Sequence, residues 1–226
     1  MILHVRAPFA VFRPFQAGAY RSTLPVMPPS TAYGLALNLA GIDARDPASL
    51  PPTRYRADAP ALEIAVGICA TATVSSLYQQ LHAYRVGTDA ATKALAARTH
   101  GAKYWIAPAR REVLVGYEGL VAVRSDDGAV EERIAQALAG SPIHPRYGLP
   151  FAGDNNFLFD KIERANGVVA TWYSRCDDAQ ASVRGTVRLP IRIDRADQSR
   201  TEIGLYAPSA APVADPPEEA WTSVRP

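Results

Sequence analysis

The positions of proline constrain this chain more than any other feature of its sequence. Proline fixes φ and cannot donate a backbone hydrogen bond, so closely spaced prolines exclude a helix interior or a central strand. The 226 residues include 19 prolines, most of which fall in four groups, at 8–29, 47–60, 142–150 and 208–226. We therefore expect these segments to be connections, and the chain between them to supply the helices and strands.

Hydrophobic alternation and capping signals place regular elements between the proline groups. Residues 2–7 predict an opening strand, and residues 62–74, with apolar side chains at alternate positions, predict the clearest strand of the chain. A helix is expected to begin at Ser30, whose hydroxyl would cap it, and to end at Gly41, with a single apolar face. The other predicted elements are a strand at 103–107, a hairpin of 112–116 with 119–124, helices at 129–139 and 157–164, and strands at 167–175 and 183–193.

The order of these elements predicts an α+β fold with a ferredoxin-like, RNA-recognition-type core. Residues 1–140 are expected to form this core, from which the polar segment 78–102 leaves as an extended thumb. Residues 141–206 predict a small C-terminal β region packed on the core, and residues 207–226, which contain five prolines, predict a flexible tail. Pro190 indicates an edge strand, so the arginines beside it either protect that edge or form a binding face.

The net charge of +2 conceals a separation of charge along the chain. Residues 1–42 contain three arginines and no acidic residue, and residues 78–111 contain six basic residues against the single acid Asp89. Aromatic residues lie among the cations in both stretches. Since cations bind phosphates and aromatic rings stack on unpaired bases, this mixture indicates binding to single-stranded nucleic acid. The alternative is a solvated charged face beside ordinary core aromatics.

Composition and missing motifs exclude several other classes of protein. With 48% hydrophobic and 20% charged residues, the chain is expected to be soluble and globular rather than disordered. Cys69 and Cys176 are too far apart in sequence to indicate a disulfide framework or a thiolate zinc cluster, which favours a reducing, cytoplasmic location. No signal peptide and no apolar run of ~18 residues is found, so no membrane association is expected. The four histidines stand apart, and no phosphate-binding glycine loop or nucleophile elbow occurs, so we expect no metal or other cofactor.

Two segments carry a family resemblance. The stretch VRAPFAVFRPFQAGAYRSTLPVMPPSTAYGLALNLAGI, at 5–42, resembles the amino-terminal signature of the fifth family of CRISPR-associated proteins. That signature is a strand, a Phe-Arg element, and Pro-Pro-Ser followed by a helix with Gly-Leu. The details PFQAGAYR and VMPPSTAYGL are most similar to the DevS branch, and PRYGLPFAGDNNFLFDKI, at 145–162, resembles a second family element. The resemblance covers roughly a quarter of the chain.

The resemblance implies a subunit of a type I CRISPR surveillance complex, or Cascade. Members of the family bind the 5′ handle of the CRISPR RNA and cap one end of a filament of backbone subunits. They also contact the large subunit that takes part in target DNA recognition. The implied partners are therefore CRISPR RNA, a backbone subunit, a large subunit and target DNA, and the thumb 78–102 would lie beside the first backbone subunit.

The residues expected to contact RNA follow from the charge pattern and from the family resemblance together. A helix amino terminus offers free N–H groups to a phosphate, and arginine binds phosphate in two-point fashion. The expected contacts are Arg13, Tyr20, Arg21, Ser30, Thr31, Arg85, Arg98, Arg146 and Tyr147. For Arg146 and Tyr147, a neighbouring subunit is an equally open partner.

One branch of the family is itself the metal-independent nuclease that matures the guide, using a tyrosine, a lysine and a histidine. The nearest equivalents here are His100, Lys103 and Tyr104, but the adjacent Lys-His pair of that branch is missing. We therefore expect a non-catalytic subunit, with an endoribonuclease as one alternative. A second alternative is a structural subunit that does not contact RNA, whose basic stretches face acidic protein partners.

Overall fold

The structure is a computed structural model that describes most of the chain. The described residues are 1–14, 20–46, 55–86, 93, 96–100, 103–177, 183–194 and 197–226.

Within these residues the chain forms two α-helices, ten strands and three short 3₁₀ turns. The helices are α1 (Pro29–Leu39) and α2 (Ala129–Leu138). The strands are β1 (Ile2–Ala10), β2 (Tyr20–Arg21), β3 (Leu62–Ile68), β4 (Thr73–Arg85), β5 (Tyr104–Arg124), β6 (Lys161–Arg164), β7 (Thr171–Arg175), β8 (Val187–Arg192), β9 (Glu202–Pro208) and β10 (Thr222–Val224). The 3₁₀ turns are Ala97–Thr99, Gln198–Arg200 and Glu218–Ala220.

The strands make one mostly antiparallel sheet, which confirms the predicted α+β class. Its order is β6-β1-β5-β3-β7-β9-β8, with β2 and β4 paired to β5 and β10 paired to β3. The pairing of β2 with β5 is parallel. Strand β8, which contains Pro190, is the last strand in this order, as the missing N–H of proline predicts.

Both helices pack on one face of the sheet and form the main core. Alternate residues of β1, including Leu3 and Val5, point into this core and are fully buried. Helix α2 contributes Val130 and Ile134 to it. The opposite face carries a smaller apolar cluster in which Leu120 and Ala122 pack with Trp172. None of the helices in the described residues is both long and apolar enough to cross a membrane.

Helix α1 differs from its prediction in its start and in its burial. It begins at Pro29 with Pro28 as the N-cap, because a proline at the first helical position needs no N–H partner. The Ser30 side chain therefore makes no cap hydrogen bond. The helix is buried on most sides rather than on one stripe, since it contacts β3, β8, β10 and α2. It ends at Leu39, two residues before Gly41, which has φ +65°.

Two predicted local elements are wrong. The strand at 103–107 and the hairpin at 112–124 are one continuous strand, β5. Its Gly116 has φ +69°, which allows a local change of direction within the strand. The expected helix at 157–164 is replaced by β6, which pairs with the free edge of β1. A short amphipathic stretch fits either period, and a sheet edge supplies the backbone partners that decide between them.

The predicted flexible tail at 207–226 is also wrong. Strand β10 pairs with β3, placing Val224 opposite Leu62, and the Val224 side chain is 2% exposed. The hydroxyls of Tyr206 and Thr222 are hydrogen-bonded at 2.8 Å. The prolines of this segment interrupt the regular structure, but the three residues Thr222–Val224 lie between prolines and pair with β3.

Candidate nucleic-acid interface

Strands β4 and β5 form a long ribbon that continues past the central strands. The second half of β5 pairs with β1 and β3, whereas its first half pairs with β4 and the short β2, and the pairings with β1 and β4 overlap at Leu114 and Val115. Tyr78 in this ribbon is 68% exposed. The predicted thumb 78–102 therefore includes the distal part of β4. Of the residues between the two strands, 87–92, 94–95 and 101–102 lie outside the described residues.

A loop rich in proline, residues 11–28, connects β1 to α1 and is hydrogen-bonded back onto itself. We call it the proline loop; its residues 15–19 lie outside the described residues. The Phe12 N–H donates to Thr23 Oγ1 at 3.0 Å, and the Leu24 N–H donates to the Phe12 carbonyl at 2.7 Å. The loop also contains β2, which brings Tyr20 and Arg21 beside β5.

The register of β2, β5 and β4 lines up two tyrosines with an arginine between them. Tyr20 lies opposite Arg110, which in turn lies opposite Tyr78. Tyr20 is 50% exposed and Arg110 is exposed as well. We call these three residues the tyrosine–arginine row. It combines a cation with two accessible rings, the combination that binds single-stranded nucleic acid.

Glu112 holds the Tyr20 end of the row in place. Its Oε1 accepts a hydrogen bond from the Tyr20 hydroxyl at 2.5 Å, and its Oε2 accepts one from the Thr23 N–H at 3.0 Å. The hydrogen bond to Glu112 raises the pKa of the Tyr20 hydroxyl. The Tyr20 ring is thereby oriented before any ligand arrives.

Sequence reasoning identified Tyr20 as a site residue but did not select Arg110 or Tyr78. Both belong to the basic, aromatic-rich stretch 78–111, which was the available signal. Only the strand register shows which members of that stretch share a face with Tyr20.

Asp154 joins the proline loop to β5. Its Oδ2 accepts hydrogen bonds from Arg13 Nη2 and Arg111 Nη1, each at 2.7 Å, and its Oδ1 accepts two from Asn156. Burial alone would raise the pKa of Asp154, but the hydrogen bonds from Arg13 and Asn156 and the charge of Arg111 lower it to about 2. Arg111 is 2% exposed, whereas the Arg13 side chain is 57% exposed. Arg13, an expected RNA contact, is therefore already bound to a carboxylate, yet one side of its guanidinium faces solvent.

The second family element also contacts the proline loop through its backbone. The Val11 N–H donates to the Ala152 carbonyl at 3.0 Å. Gly153 has φ +80°, and a Cβ at this position would lie 2.1 Å from the Val11 carbonyl oxygen. Both the positive φ and the close contact with Val11 therefore require a glycine at position 153. This part of the element holds the proline loop against β5.

Three other expected contacts, Ser30, Thr31 and Tyr147, line a separate cleft of about 690 Å³ beside α1. The Arg45 guanidinium lies 5.0 Å from the centre of the Tyr147 ring. Among the described residues, the buried Ser30 Oγ has no hydrogen-bond partner. Six of the expected RNA contacts are therefore divided between the proline loop and this cleft.

The remaining three expected contacts, Arg146, Arg85 and Arg98, belong to neither group. Arg146 is exposed, near the cleft in sequence, and Arg85 lies opposite Tyr104 at the distal end of the ribbon. Arg98 is exposed in a 3₁₀ turn. The three residues considered for catalysis also lie there: His100 ends this turn with φ 48°, and Lys103 Nζ is 6.0 Å from the centre of the Tyr104 ring.

A comparison with protein families identifies the chain. The family model described as CRISPR-associated protein (Cas_Cas5) matches residues 1–141, well over half of the sequence. The chain belongs to this Cas5 family. The family resemblance of the proline loop and α1 is thereby confirmed, whereas the assignment to the DevS branch stays a prediction.

Solved structures show the same fold as this Cas5 family member. The present chain is similar to a chain of a CRISPR RNA-guided surveillance complex. The TM-score is 0.56 and the sequence identity 15%, over 97% of the present chain and 96% of the other. A structure described as a Cas protein matches with a TM-score of 0.50 and 12% identity, over 92% and 93% of the two chains. A search of curated protein sequences gave no match.

Proposed function

We propose that this chain is a non-catalytic subunit of a CRISPR RNA-guided surveillance complex, in which it binds and caps the 5′ handle of the CRISPR RNA. Membership of the Cas5 family supports the assignment to such a complex. The tyrosine–arginine row is the observation that carries RNA binding, because it places two exposed rings around a cation on one face of the ribbon.

We infer that the core is ferredoxin-like. Its elements follow the order β1, α1, β3, β5, α2, β6 along the chain. The corresponding strands lie side by side as β6-β1-β5-β3, with antiparallel neighbours. Fourth, first, third and second is the strand arrangement of a split β-α-β fold. In this arrangement β4 and the first half of β5 are an addition to the core. The core takes its fourth strand from β6, so it extends beyond the predicted boundary at residue 140.

The row has dimensions that suit an extended RNA strand. Neighbouring strands lie about 4.8 Å apart, so the two tyrosines, two strands apart, are separated by about 10 Å. Two unstacked bases lie on Tyr20 and Tyr78, and the phosphate between them is bound by Arg110. Arg13, on the same loop as Tyr20, adds a second cation.

The ribbon and the cleft serve the protein partners in this proposal. The distal part of the ribbon, with Arg98 and Lys103 exposed, reaches toward the backbone subunit and its RNA. The cleft beside α1, with Arg146 and Tyr147 at or near it, faces the large subunit and, through it, target DNA.

The test measures binding of a labelled 5′-handle RNA to the purified chain by fluorescence anisotropy. Arg110→Ala and Tyr78→Ala are each expected to weaken binding by about fivefold or more, since stacking on one base is worth about 1–3 kcal/mol and a hydrogen bond to a charged group about 1.5–3 kcal/mol. Arg188→Ala, which removes an exposed arginine from β8, is the matched control and should bind as the wild type does. If both ribbon variants bind like the control, the RNA-binding part of the proposal fails.

The non-catalytic assignment is tested separately. The chain is incubated with repeat RNA in the presence of a chelator, and the RNA is expected to stay intact. A specific cut that disappears in His100→Ala would replace this proposal with the endoribonuclease alternative.

A further inference from the structure

Three different metal-ligating side chains meet on the sheet face opposite α1 and α2. They are His4 in β1, Glu118 in β5 and Cys69, which directly follows β3. The imidazole nitrogen, thiol sulfur and carboxylate oxygen all lie within 4.8 Å of one another. His4 Nε2 is 2.7 Å from Glu118 Oε1.

The strand register fixes this meeting. His4 and Glu118 lie on the same face, diagonally across the β1–β5 pair, because Arg6 is the residue directly opposite Glu118. The Cys69 N–H donates to the Glu118 carbonyl at 3.0 Å, which holds the thiol beside the carboxylate. The three ligands therefore sit on backbone that the sheet already orders.

The cluster is buried at His4 and accessible to solvent at Glu118. His4 is 7% exposed, whereas the Glu118 side chain is 37% exposed. Cys69 is half-buried and packs against the smaller apolar cluster around Trp172. A cation can thus enter from the Glu118 side and meet ligands that are already held in place.

A second glutamate, Glu163, also contacts His4. Glu163 Oε1 is 3.3 Å from His4 Nδ1, on the other side of the ring from Glu118. The same oxygen is 2.7 Å from Lys161 Nζ. Glu163 therefore holds the outer nitrogen of His4 and orients the ring, as a carboxylate commonly does behind a metal-ligating histidine.

We propose that His4, Cys69 and Glu118 bind a divalent transition-metal ion of the zinc type, with a water molecule or a group from a neighbouring chain as fourth ligand. One nitrogen, one sulfur and one oxygen suit zinc or cobalt, whereas magnesium and calcium prefer oxygen alone. Tetrahedral bonds of about 2.0–2.3 Å separate such ligands by about 3.3–3.6 Å. The ligand atoms already lie within 4.8 Å of one another, and binding requires the partly exposed Glu118 side chain to rotate away from His4 and the three groups to close around the ion.

The ion has to displace a proton. Burial and, to a lesser extent, the charge of Glu118 raise the pKa of the Cys69 thiol to about 11. The thiol proton is therefore released to solvent when the metal binds. The sequence predicted no metal site, because its four histidines stand apart and its two cysteines are distant from each other.

The experiment titrates Co²⁺ into the full, metal-free chain under reducing conditions. Tetrahedral Co²⁺ bound to a thiolate gives an intense near-ultraviolet charge-transfer band and visible bands, and one ion per chain is expected, displaced by Zn²⁺. Cys69→Ser should lose the charge-transfer band, and Glu118→Gln should weaken binding by about tenfold or more. Both replacements are close to isosteric, and circular dichroism checks that each variant is folded.

The matched control is Cys176→Ser, which removes the other cysteine. This variant should keep the full spectrum, because Cys176 is not one of the three ligands. The proposal is overturned if no stoichiometric Co²⁺ binding occurs, if Cys69→Ser leaves the band unchanged, or if Cys176→Ser abolishes it. RNA binding by the tyrosine–arginine row does not depend on this outcome.

Discussion

Asp154 is the residue on which the position of the proline loop depends. It bonds simultaneously to Arg13 of that loop and to Arg111 of β5. Because Arg111 is buried, its charge has to be compensated within the protein, and Asp154 is the carboxylate that does so. The two arginines against one carboxylate leave a net positive charge beside the tyrosine–arginine row.

Asp154→Asn should therefore destabilise the protein by about 3 kcal/mol, since it leaves Arg111 charged, buried and without a carboxylate. Arg13→Ala is the control, and should cost less than about 1 kcal/mol because its side chain is largely exposed and the Arg111 pair persists. The free energy of unfolding in urea measures both. An equal decrease in the free energy of unfolding in the two variants would contradict the central role of the Arg111–Asp154 pair.

The low pKa of Asp154 also predicts a pH dependence. Its folded-state value of about 2 lies below the ordinary 3.8, so its stabilising contribution is complete above about pH 4 and is lost as the pH falls toward 2. The stability difference between wild type and Asp154→Asn should stay constant from neutral pH to about pH 4.5, and narrow below it. Unfolding curves of both proteins across this range test this, and a difference that widens on acidification would refute the assignment.

At the scale of elements, pairing with distant strands determined the structure of several segments whose local sequence pattern predicted something else. Helix α2 lies close to its predicted position, and strand β3 begins where it was predicted, because hydrophobic periodicity and turn signals are local. The predicted strand at 62–74 is wrong at its end, since β3 stops at Ile68 and β4 begins at Thr73. Strand β6 and strand β10 were expected as a helix and a tail, since both are short and gain their hydrogen bonds from distant strands. The predicted turn between 116 and 119 is absent for the same reason, because β1 pairs with β5 on both sides of it.

Strand β10 gives a direct test of this argument by hydrogen exchange. The amides of Thr222–Val224 that face β3 should exchange slowly, as those of β3 itself do, because they pair across the sheet. The exposed residues 210–211 provide a control within the same C-terminal segment and should exchange fast. Equally fast exchange in both places would restore the interpretation of residues 207–226 as a flexible tail.

At the scale of the whole molecule, the fold brings together the two basic stretches that are separate in the sequence. The basic stretch 78–111 becomes the β4–β5 ribbon with the residues between its strands, and the acid-free stretch 1–42 places the proline loop against that ribbon. Two basic segments distant in sequence thus become neighbours.

Binding of the 5′ handle should consequently depend strongly on salt. If about 4–6 phosphates are neutralised, the logarithm of the affinity should fall against the logarithm of salt concentration with a slope of about −3 to −4. Arg110→Ala should reduce the steepness by about 0.7, the share of one phosphate contact on a single strand. Anisotropy titrations at four salt concentrations measure the slope, and a slope near zero would favour the structural subunit that does not contact RNA.

The sequence by itself determined the family, the α+β class and the two basic, aromatic-rich stretches, because motifs, periodicity and charge are properties of neighbouring residues. Only the tertiary structure decided that Tyr20, Arg110 and Tyr78 share one face, and that Asp154 bridges Arg13 and Arg111. It alone brought His4, Cys69 and Glu118 together. Each of these groups depends on which strands pair and in what register, and side chains from separate strands leave no common spacing in the sequence.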